Sequence, residues 1–293
     1  MKKVSVILLI IILSILCAVT GCSHSAKKRK ANVTLKYPVV LVHGIVAHDR
    51  EVAGYNVFWG RIPEILRESG VKVFFGGTDA WGGYESNAEI LKTTIETVLL
   101  ETNSEKVNII SHSKGGIDSR YLIWKYDFGD KIASLTTIST PHHGAEIADL
   151  TFKQGIIHTD ITRRALAFFG EIYGDTNPDM YNVNYILTTG KMREFNETVG
   201  MDSRVYYQSL YTTIDNTFND LMVVSGYLYI KSVRGENDGL VSEYSATWGG
   251  NSRKIGSGIS HADILDYRRQ KISEIDIPSI YVDIVHDLAE KGF

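Results

Sequence analysis

The pattern of apolar and polar positions predicts a chain in which short strands alternate with amphipathic helices from about residue 38 onward. Short apolar runs that end at turn residues predict buried strands, and apolar residues spaced three and four apart predict helices. Strands that alternate with helices favour a mostly parallel sheet with helices on both faces, which is the α/β class. The predicted strands are 38–43, 71–75, 107–110, 132–140, 205–210 and 227–233. The predicted helices are 61–69, 86–102, 115–126, 264–275 and 278–290.

The alternation stops between about residues 150 and 200, where the sequence favours several helical pieces and no strand. We therefore expect a helical cap inserted into the sheet domain. Two interpretations remain, a lid that covers and uncovers a site, and a fixed helical insertion. The apolar residues that would form the inner surface of a lid are Phe152, Ile156, Ile157, Leu166, Phe168, Phe169, Ile172 and Tyr173.

Residues 1–21 have the composition of a signal peptide, because two lysines precede an apolar run over 4–19. This run is also near the lower length limit of a membrane span, so an uncleaved anchor is the alternative. The sequence Val-Thr-Gly-Cys that ends at Cys22 resembles a bacterial lipobox, in which this cysteine becomes the lipidated first residue after cleavage. An ordinary second cysteine near Cys17 is the other interpretation.

Residues 22–36 are polar and basic, and we predict a tether between the membrane and the domain. The basic cluster over 27–30 is either a solvated part of this tether or a segment attracted to an anionic membrane surface. These features predict an exported protein, lipid-anchored on the extracytoplasmic face of the cell membrane or released outside the cell. Residues 37–293 remain for one α/β domain with the cap insertion at about 150–200.

Composition and charge narrow the function classes. A chain of 293 residues that is 44% apolar is long enough for one domain with a sizeable core. A formal net charge of −3 gives no reason to expect a nucleic-acid partner. The two cysteines, Cys17 and Cys22, both precede the domain, so no disulfide and no cysteine chemistry are expected in the mature fold.

Ser113 lies in the sequence Ser-His-Ser-Lys-Gly-Gly, directly after a predicted strand and at the start of a predicted helix. A strand–serine–helix arrangement is the context of a nucleophile elbow, in which a tight turn exposes the serine hydroxyl. The positions two before and two after the serine must be small. Gly115 meets that requirement, and Ser111 replaces the usual glycine. We interpret Ser113 as a nucleophile, and a serine that only caps the helix is the alternative.

A nucleophilic serine needs an oxyanion hole. His43, Gly44 and Ile45 follow the first predicted strand, and the glycine permits close approach of two backbones. We predict that the backbone N–H groups of Ile45 and Lys114 form the oxyanion hole. An ordinary turn at the end of a strand is the alternative.

The serine also needs a base and a carboxylate that orients the base. Asp238 lies in Gly-Glu-Asn-Asp-Gly, and His261 lies farther along the chain. Serine, aspartate and histidine follow each other in this order in α/β-hydrolases. The other histidines lie in segments or motif positions that do not suit a base. A plain turn at Asp238 and a loop or cap role for His261 are the alternatives.

Together these motifs resemble those of the bacterial lipases typified by the Pseudomonas and Burkholderia enzymes, and most of all those of their Gram-positive relatives. The resemblance implies an α/β-hydrolase fold and a serine ester hydrolase that acts on triacylglycerol-like lipids without an organic cofactor. The matching segments, in the same order as in that family, are 37–44, 111–116, 140–144, 237–241 and 261–263.

The resemblance also implies a structural calcium ion. In that family an aspartate two residues after the catalytic histidine binds calcium, and Asp263 matches it. The carbonyl groups of Tyr267 and Lys271 would complete that side of the site. The second aspartate of the family precedes the acid of the triad, and Asp220 matches it best, with Asp215 as the rival. The alternative for Asp263 is an exposed carboxylate at the start of a helix.

The favoured hypothesis is hydrolysis of a lipid ester through Ser113, His261 and Asp238, with an acyl-enzyme intermediate. A short-chain esterase, a phospholipase and an acyltransferase use the same groups and remain alternatives. From another class, the rival is a non-catalytic surface lipoprotein that binds lipid on a retired hydrolase fold, and a complete triad argues against it. The expected partners are a lipid ester and, through Cys22, a bacterial membrane.

Overall fold

A parallel sheet of six strands lies at the centre of the molecule, and a separate two-stranded hairpin lies beside it. The computed structural model describes residues 33–45, 49, 51–52, 55–56, 58–153, 175 and 178–293. The strands are β1 (Val39–Val42), β2 (Glu51–Val52), β3 (Tyr55–Asn56), β4 (Val73–Phe75), β5 (Val107–His112), β6 (Ile132–Ile138), β7 (Tyr206–Thr213) and β8 (Ser252–Ser257).

Helices cover both faces of the sheet. They are α1 (Ile62–Glu68), α2 (Tyr84–Thr102), α3 (Lys114–Lys125), α4 (Glu146–Lys153), α5 (Met180–Ile186), α6 (Thr189–Thr198), α7 (Val224–Val233), α8 (Glu243–Ala246) and α9 (Ile277–Glu290). Short 3-10 turns follow at Phe128–Asp130 and Asp263–Leu265. The predicted α/β class is confirmed.

The strand order is β4-β1-β5-β6-β7-β8, and every neighbouring pair in this sheet is parallel. The carboxyl ends of all six strands therefore meet at one edge, and the loops that follow them share that edge. The loop between β5 and α3 thus follows a central strand that is buried along its whole length.

Successive residues of the strands point to opposite faces and feed two separate cores. In β1, Val39 and Leu41 pack with residues of α1 and α9, whereas Val40 and Val42 pack with residues of α2 and α3. The predicted apolar stripe of α2 faces the sheet through Leu91, Ile95 and Val98, which are buried. Burial on both faces explains why β1 is a continuous apolar run rather than an alternating one.

Two predicted elements are wrong, and the prediction lacks one strand of the six-stranded sheet, both short strands of the hairpin and the short helix α8. The segment predicted as strand 227–233 is part of helix α7, where Tyr227 and Ile230 are buried at helical spacing. The segment predicted as helix 264–275 is a 3-10 turn followed by irregular backbone. Positive φ angles at Asp266, Arg269 and Ser273 prevent a helix there. Strand β8 is unpredicted because none of its residues is buried and most are polar, as suits a strand at the edge of a sheet.

The folded chain begins earlier than the predicted boundary at residue 37. The side chain of Val33 is buried in the core, and its backbone N–H donates to the carbonyl of Ser69 at 2.8 Å. The predicted signal peptide over 1–21, and all but the last residues of the tether, lie outside the described residues. Within the described part, no helix is both long enough and apolar enough to cross a membrane.

The described parts of the predicted cap are helical, as α4, α5 and α6 show. They pack through Val183, Met192 and Phe195 against Ile117, which follows the candidate nucleophile in α3. The cap therefore rests on the helix that carries the candidate site. Residues 154–174, with most of the apolar residues of the predicted lid, lie outside the described residues, so the lid stays a prediction.

Candidate active site

Ser113 is a single-residue elbow between β5, which ends at His112, and α3, which begins at Lys114. Its backbone has φ 54° and ψ −130°, a conformation that L-residues rarely adopt. Such strain persists only where the surrounding structure over-determines it, and it is common at functional sites. The turn places the serine at the N-terminus of a twelve-residue helix, where unpaired N–H groups favour developing negative charge.

Small residues around the elbow are required by close contacts with neighbouring atoms. A Cβ on Gly115 would lie 2.4 Å from the carbonyl oxygen of His43, and one on Gly44 would lie 2.7 Å from the Cβ of Ser113. Ser111 fits where glycine is usual because its hydroxyl is buried and donates to the carbonyl of Thr136 at 3.2 Å. The motif therefore tolerates this departure.

The structure brings the predicted base and acid together. Nδ1 of His261 lies 2.8 Å from Oδ2 of Asp238, and the backbone N–H of His261 donates to the carbonyl of Asp238 at 2.9 Å. The other oxygen of Asp238 accepts hydrogen bonds from the backbone N–H groups of Leu240 and Val241. Because the carboxylate is buried and fully engaged, it fixes the imidazole with Nδ1 as donor and leaves Nε2 as the proton acceptor.

His112 is a residue of the site that the sequence did not single out. Its ring lies 4.5 Å from the ring of His261, and its Nε2 donates to the carbonyl of His261 at 3.0 Å. Burial, together with the neighbouring His261, holds the pKa of His112 well below its usual value, so the ring is neutral. The residue before Ser113 thus ties the elbow to the loop of the candidate base. Its place directly before the serine was the signal available in the sequence.

The predicted oxyanion residues lie on both sides of the candidate nucleophile. A Cβ on Gly44 would lie 3.2 Å from the hydroxyl oxygen of Ser113, so the chain that leads to Ile45 passes directly beside that oxygen. Lys114 opens α3, and its ammonium is buried in an ion pair with Asp118 at 2.7 Å. Burial raises the pKa of Asp118, and the ammonium opposes that shift. The oxyanion role of the two amides stays a prediction.

The segment after β6 supports the elbow. The hydroxyl of Thr140 donates to the carbonyl of Ser113 at 2.8 Å. The guanidinium of Arg120 is buried between the rings of Trp248 and Phe195, at 3.8 Å and 4.9 Å from their centres. Burial lowers the pKa of Arg120 to about 9. His142 lies beside Arg120, stacked on Trp248, so this motif histidine is structural.

The structure brings together the two carboxylates that were predicted to bind calcium. The carboxylates of Asp220 and Asp263 are buried and flank one guanidinium, that of Arg268, at 3.2 Å and 3.0 Å. Asp215, the rival second aspartate, is exposed. The hydroxyl of Tyr267 accepts a hydrogen bond from Nε of Arg268 at 2.7 Å. The ligand role of the carbonyl groups of Tyr267 and Lys271 stays a prediction.

The donor set does not fit a calcium ion in this arrangement, because the guanidinium occupies the space between the two carboxylates. Among the described residues, no group of three or more His, Cys, Asp or Glu side chains is placed to hold a metal ion. Burial raises the pKa of Asp263 to about 6, with Arg268 opposing that shift. The calcium ion stays a prediction, and the alternative of an exposed carboxylate for Asp263 is wrong. Cys22 lies outside the described residues.

Comparison with known proteins agrees with this architecture. Residues 82–239, more than half of the chain, match the family described as PGAP1-like alpha/beta domain. The chain is 29% identical over 287 residues to a triacylglycerol lipase of Burkholderia plantarii, covering 78% of this chain and 79% of that protein. It is 29% identical over 272 residues to a triacylglycerol lipase of Pseudarthrobacter phenanthrenivorans, covering 73% and 84%.

Among solved structures, the lipase of Staphylococcus hyicus superposes with a TM-score of 0.67 at 18% identity, covering 91% of this chain and 99% of that one. The likeness shows the fold alone, and it includes the sheet and its flanking helices. The resemblance inferred from the motifs is therefore confirmed. The chain belongs to the PGAP1-like alpha/beta domain family, and within the α/β-hydrolase superfamily its relatives are the bacterial triacylglycerol lipases.

Proposed function

We propose that this protein is a serine-dependent carboxylic ester hydrolase that acts on lipid esters of the triacylglycerol type. The observation that carries the proposal is the hydrogen bond of 2.8 Å between His261 and Asp238, together with a strained serine at the start of a buried helix. The ring of His112 links these two parts at 4.5 Å from the ring of His261. A serine, a histidine and a carboxylate in this order and context are the groups that acyl transfer needs.

The reaction follows from the roles of these groups. The hydroxyl of Ser113 attacks the ester carbonyl while Nε2 of His261 takes its proton, and Asp238 stabilises the imidazolium that forms. The amides of Ile45 and Lys114 donate to the developing oxyanion. The imidazolium then protonates the leaving alcohol, which gives an acyl-enzyme. A water molecule, deprotonated by the same imidazole, releases the acid and restores the serine.

An exposed apolar patch supports a lipid surface as the place of action. The loop after β7 carries Phe218 and Leu221, which are 87% and 70% exposed, and Met222, which is 45% exposed. Its Asp220 accepts a hydrogen bond at 2.7 Å from Ser260, the residue before His261. Large apolar side chains clustered in water mark contact sites, and this cluster is tied to the loop of the candidate base.

The test compares an emulsified triacylglycerol with a soluble short-chain ester. We expect wild type to hydrolyse both, an active-site phosphonate to label Ser113, and Ser113→Ala to lose several orders of magnitude of rate while staying folded. Unlabelled Ser113, or a Ser113→Ala variant that keeps more than a few per cent of activity, would favour a non-catalytic lipid-binding protein. Hydrolysis of the soluble ester alone would make the protein a short-chain esterase.

The role of the patch is tested separately. The double variant Phe218→Ser and Leu221→Ser should lower the rate on the emulsion and leave the rate on the soluble ester unchanged. Leu100→Ser is the matched control, because Leu100 is 83% exposed near the end of α2, on the approach to the opposite edge of the sheet. Equal losses in the patch variant and the control would show that the patch has no special role.

A membrane anchor at Cys22 is part of the same proposal. It is supported by the apolar run over 4–19 and by the lipobox-like sequence that ends at Cys22. Two or more acyl chains on this cysteine would anchor the protein stably on the extracytoplasmic face, whereas one chain would not. Intact-mass spectrometry of the membrane fraction tests this, and an unmodified Cys22 in the medium would refute it.

A further inference from the structure

Two buried carboxylates lie beside the loop that presents His261. Asp220 and Asp263 have relative exposures of 2% and 1%. Two like charges removed from water are strongly unfavourable unless a cation lies between them. Their place is notable, since Asp263 is two residues after His261 and Asp220 is bonded to the residue before it.

One guanidinium supplies this cation. Nη2 of Arg268 lies 3.2 Å from Asp220, and its Nε lies 3.0 Å from Asp263. The single N–H of Nε points at the hydroxyl of Tyr267, 2.7 Å away, so the contact with Asp263 is one of charge. The side chain of Arg268 is 30% exposed, and it closes the carboxylate pair from the solvent side.

The contacts around the pair extend to the candidate base. Ser260 donates to Asp220 at 2.7 Å, and its hydroxyl accepts from the backbone N–H of Asp263 at 3.1 Å. Both oxygens of Asp263 are buried and have no hydrogen bond of normal geometry among the described residues, so the charge of Arg268 is their main compensation. Removal of the guanidinium would leave two repelling carboxylates, one on each side of the residue that carries the imidazole.

We propose that Arg268 is the built-in cation of the loop that presents His261, in the place where a bound metal ion would otherwise be needed. It is a positioning residue that acts through Asp220 and Asp263 and does not touch the reacting atoms. The effect on turnover rests on the proposed function, whereas the effects on stability and on metal binding do not.

The experiment measures melting temperature, calcium binding by calorimetry, and kcat and KM on a soluble ester, each in chelator and in millimolar calcium. Wild type should be unchanged by chelator or calcium and should bind no calcium. Arg268→Ala should melt lower and lose about 10- to 100-fold in kcat with KM little changed, because a misplaced base slows chemistry rather than binding. Calcium should bind this variant, raise its melting temperature and restore part of kcat.

Arg253→Ala is the matched control, since this arginine is 53% exposed and pairs with Asp287 at 3.8 Å. It should melt like wild type and gain no response to calcium. If Arg268→Ala does not fold, the double variant Arg268→Gln and Asp263→Asn tests whether the lost charge is the cause. Removal of one carboxylate should restore folding and melting temperature, which a merely space-filling role for the arginine would not explain.

Two results would overturn the proposal. One is a wild-type protein that binds calcium and melts lower in chelator, because the cation of the loop would then be the metal. The other is an Arg268→Ala variant with the melting temperature and kcat of wild type. If no ester is hydrolysed at all, the proposed function fails, while melting temperature and calorimetry still decide the role of Arg268.

Discussion

The backbone of Ser113 allows a test of the elbow that is independent of catalysis. At φ 54° and ψ −130° a side chain is strained, whereas glycine adopts this conformation freely. We therefore compare Ser113→Gly with Ser113→Ala. Both lack the hydroxyl, so both should lose several orders of magnitude of ester hydrolysis, and only the second keeps a strained Cβ.

The difference in unfolding free energy between the two variants follows from two opposing contributions. A non-glycine residue in such a conformation costs about 1–3 kcal/mol in the folded state. Glycine costs about 0.5–1 kcal/mol more than alanine in lost backbone freedom on folding. Ser113→Gly should therefore be more stable than Ser113→Ala by up to about 2.5 kcal/mol. For a chain of this size that corresponds to a rise in melting temperature of roughly 2–4 °C per kcal/mol.

Urea denaturation of the two purified variants measures this difference directly. Ser119 provides the matched control because it is buried one helical turn into α3 with ordinary helical backbone. There the sign should reverse, with Ser119→Gly about 1 kcal/mol less stable than Ser119→Ala. If glycine is no better than alanine at position 113, the elbow is not strained, and the argument for a backbone-imposed nucleophile fails.

Two further predictions concern the histidines. Asp238→Asn should preserve the fold but lower kcat by about 10³- to 10⁴-fold, because the amide no longer holds the His261 tautomer as the carboxylate does. Steady-state kinetics measure this loss, and a variant that keeps a tenth of wild-type activity would exclude Asp238 as the acid. Burial, reinforced by Arg120, holds the pKa of His142 well below its usual value, so the ring is neutral in the folded state. Its contribution to the unfolding free energy is complete above about pH 6.5 and is lost as the pH falls toward the folded-state pKa. His142→Gln should therefore reduce the fall in unfolding free energy between pH 7.5 and 5.5 by up to about 1.4 kcal/mol per pH unit, and urea denaturation that shows the same fall as wild type would contradict it.

The sequence predicted best what short segments determine by themselves. The elbow at Ser113 depends on one strand, one turn and one helix, and each has a local signal within residues 107–126. The parallel sheet follows from apolar runs that are buried on both faces, as β1 is. Asp238 and His261 were found by chain order and elimination, and the structure places them 2.8 Å apart.

What the sequence did not predict depends on contacts between distant segments. Arg268 lies in a segment that has apolar residues at helical spacing, and only the fold brings it to Asp220, 48 positions earlier. Tyr227 and Ile230 suit either a strand or a helix, and in the structure they lie on a helix whose Gly226 packs closely against the carbonyl of Gly239. The edge strand β8 has no buried face, so apolar periodicity cannot reveal it.

The candidate triad divides into a part positioned by the core and a part positioned by loops. Ser113 is held between β5, which is buried along its whole length, and α3, most of whose residues are buried. Asp238 and His261 lie on loops beyond β7 and β8, and loops open more readily than core elements. The imidazole therefore keeps its position relative to Ser113 when contacts hold its loop on both sides of His261. Asp238 supplies one tie through a side-chain and a backbone hydrogen bond, and the pair of Asp220 and Asp263 closed by Arg268 supplies the other. The second set of contacts consists largely of charge interactions between Arg268 and two buried carboxylates. Its role in holding the loop explains why these charged residues lie together away from the reacting atoms.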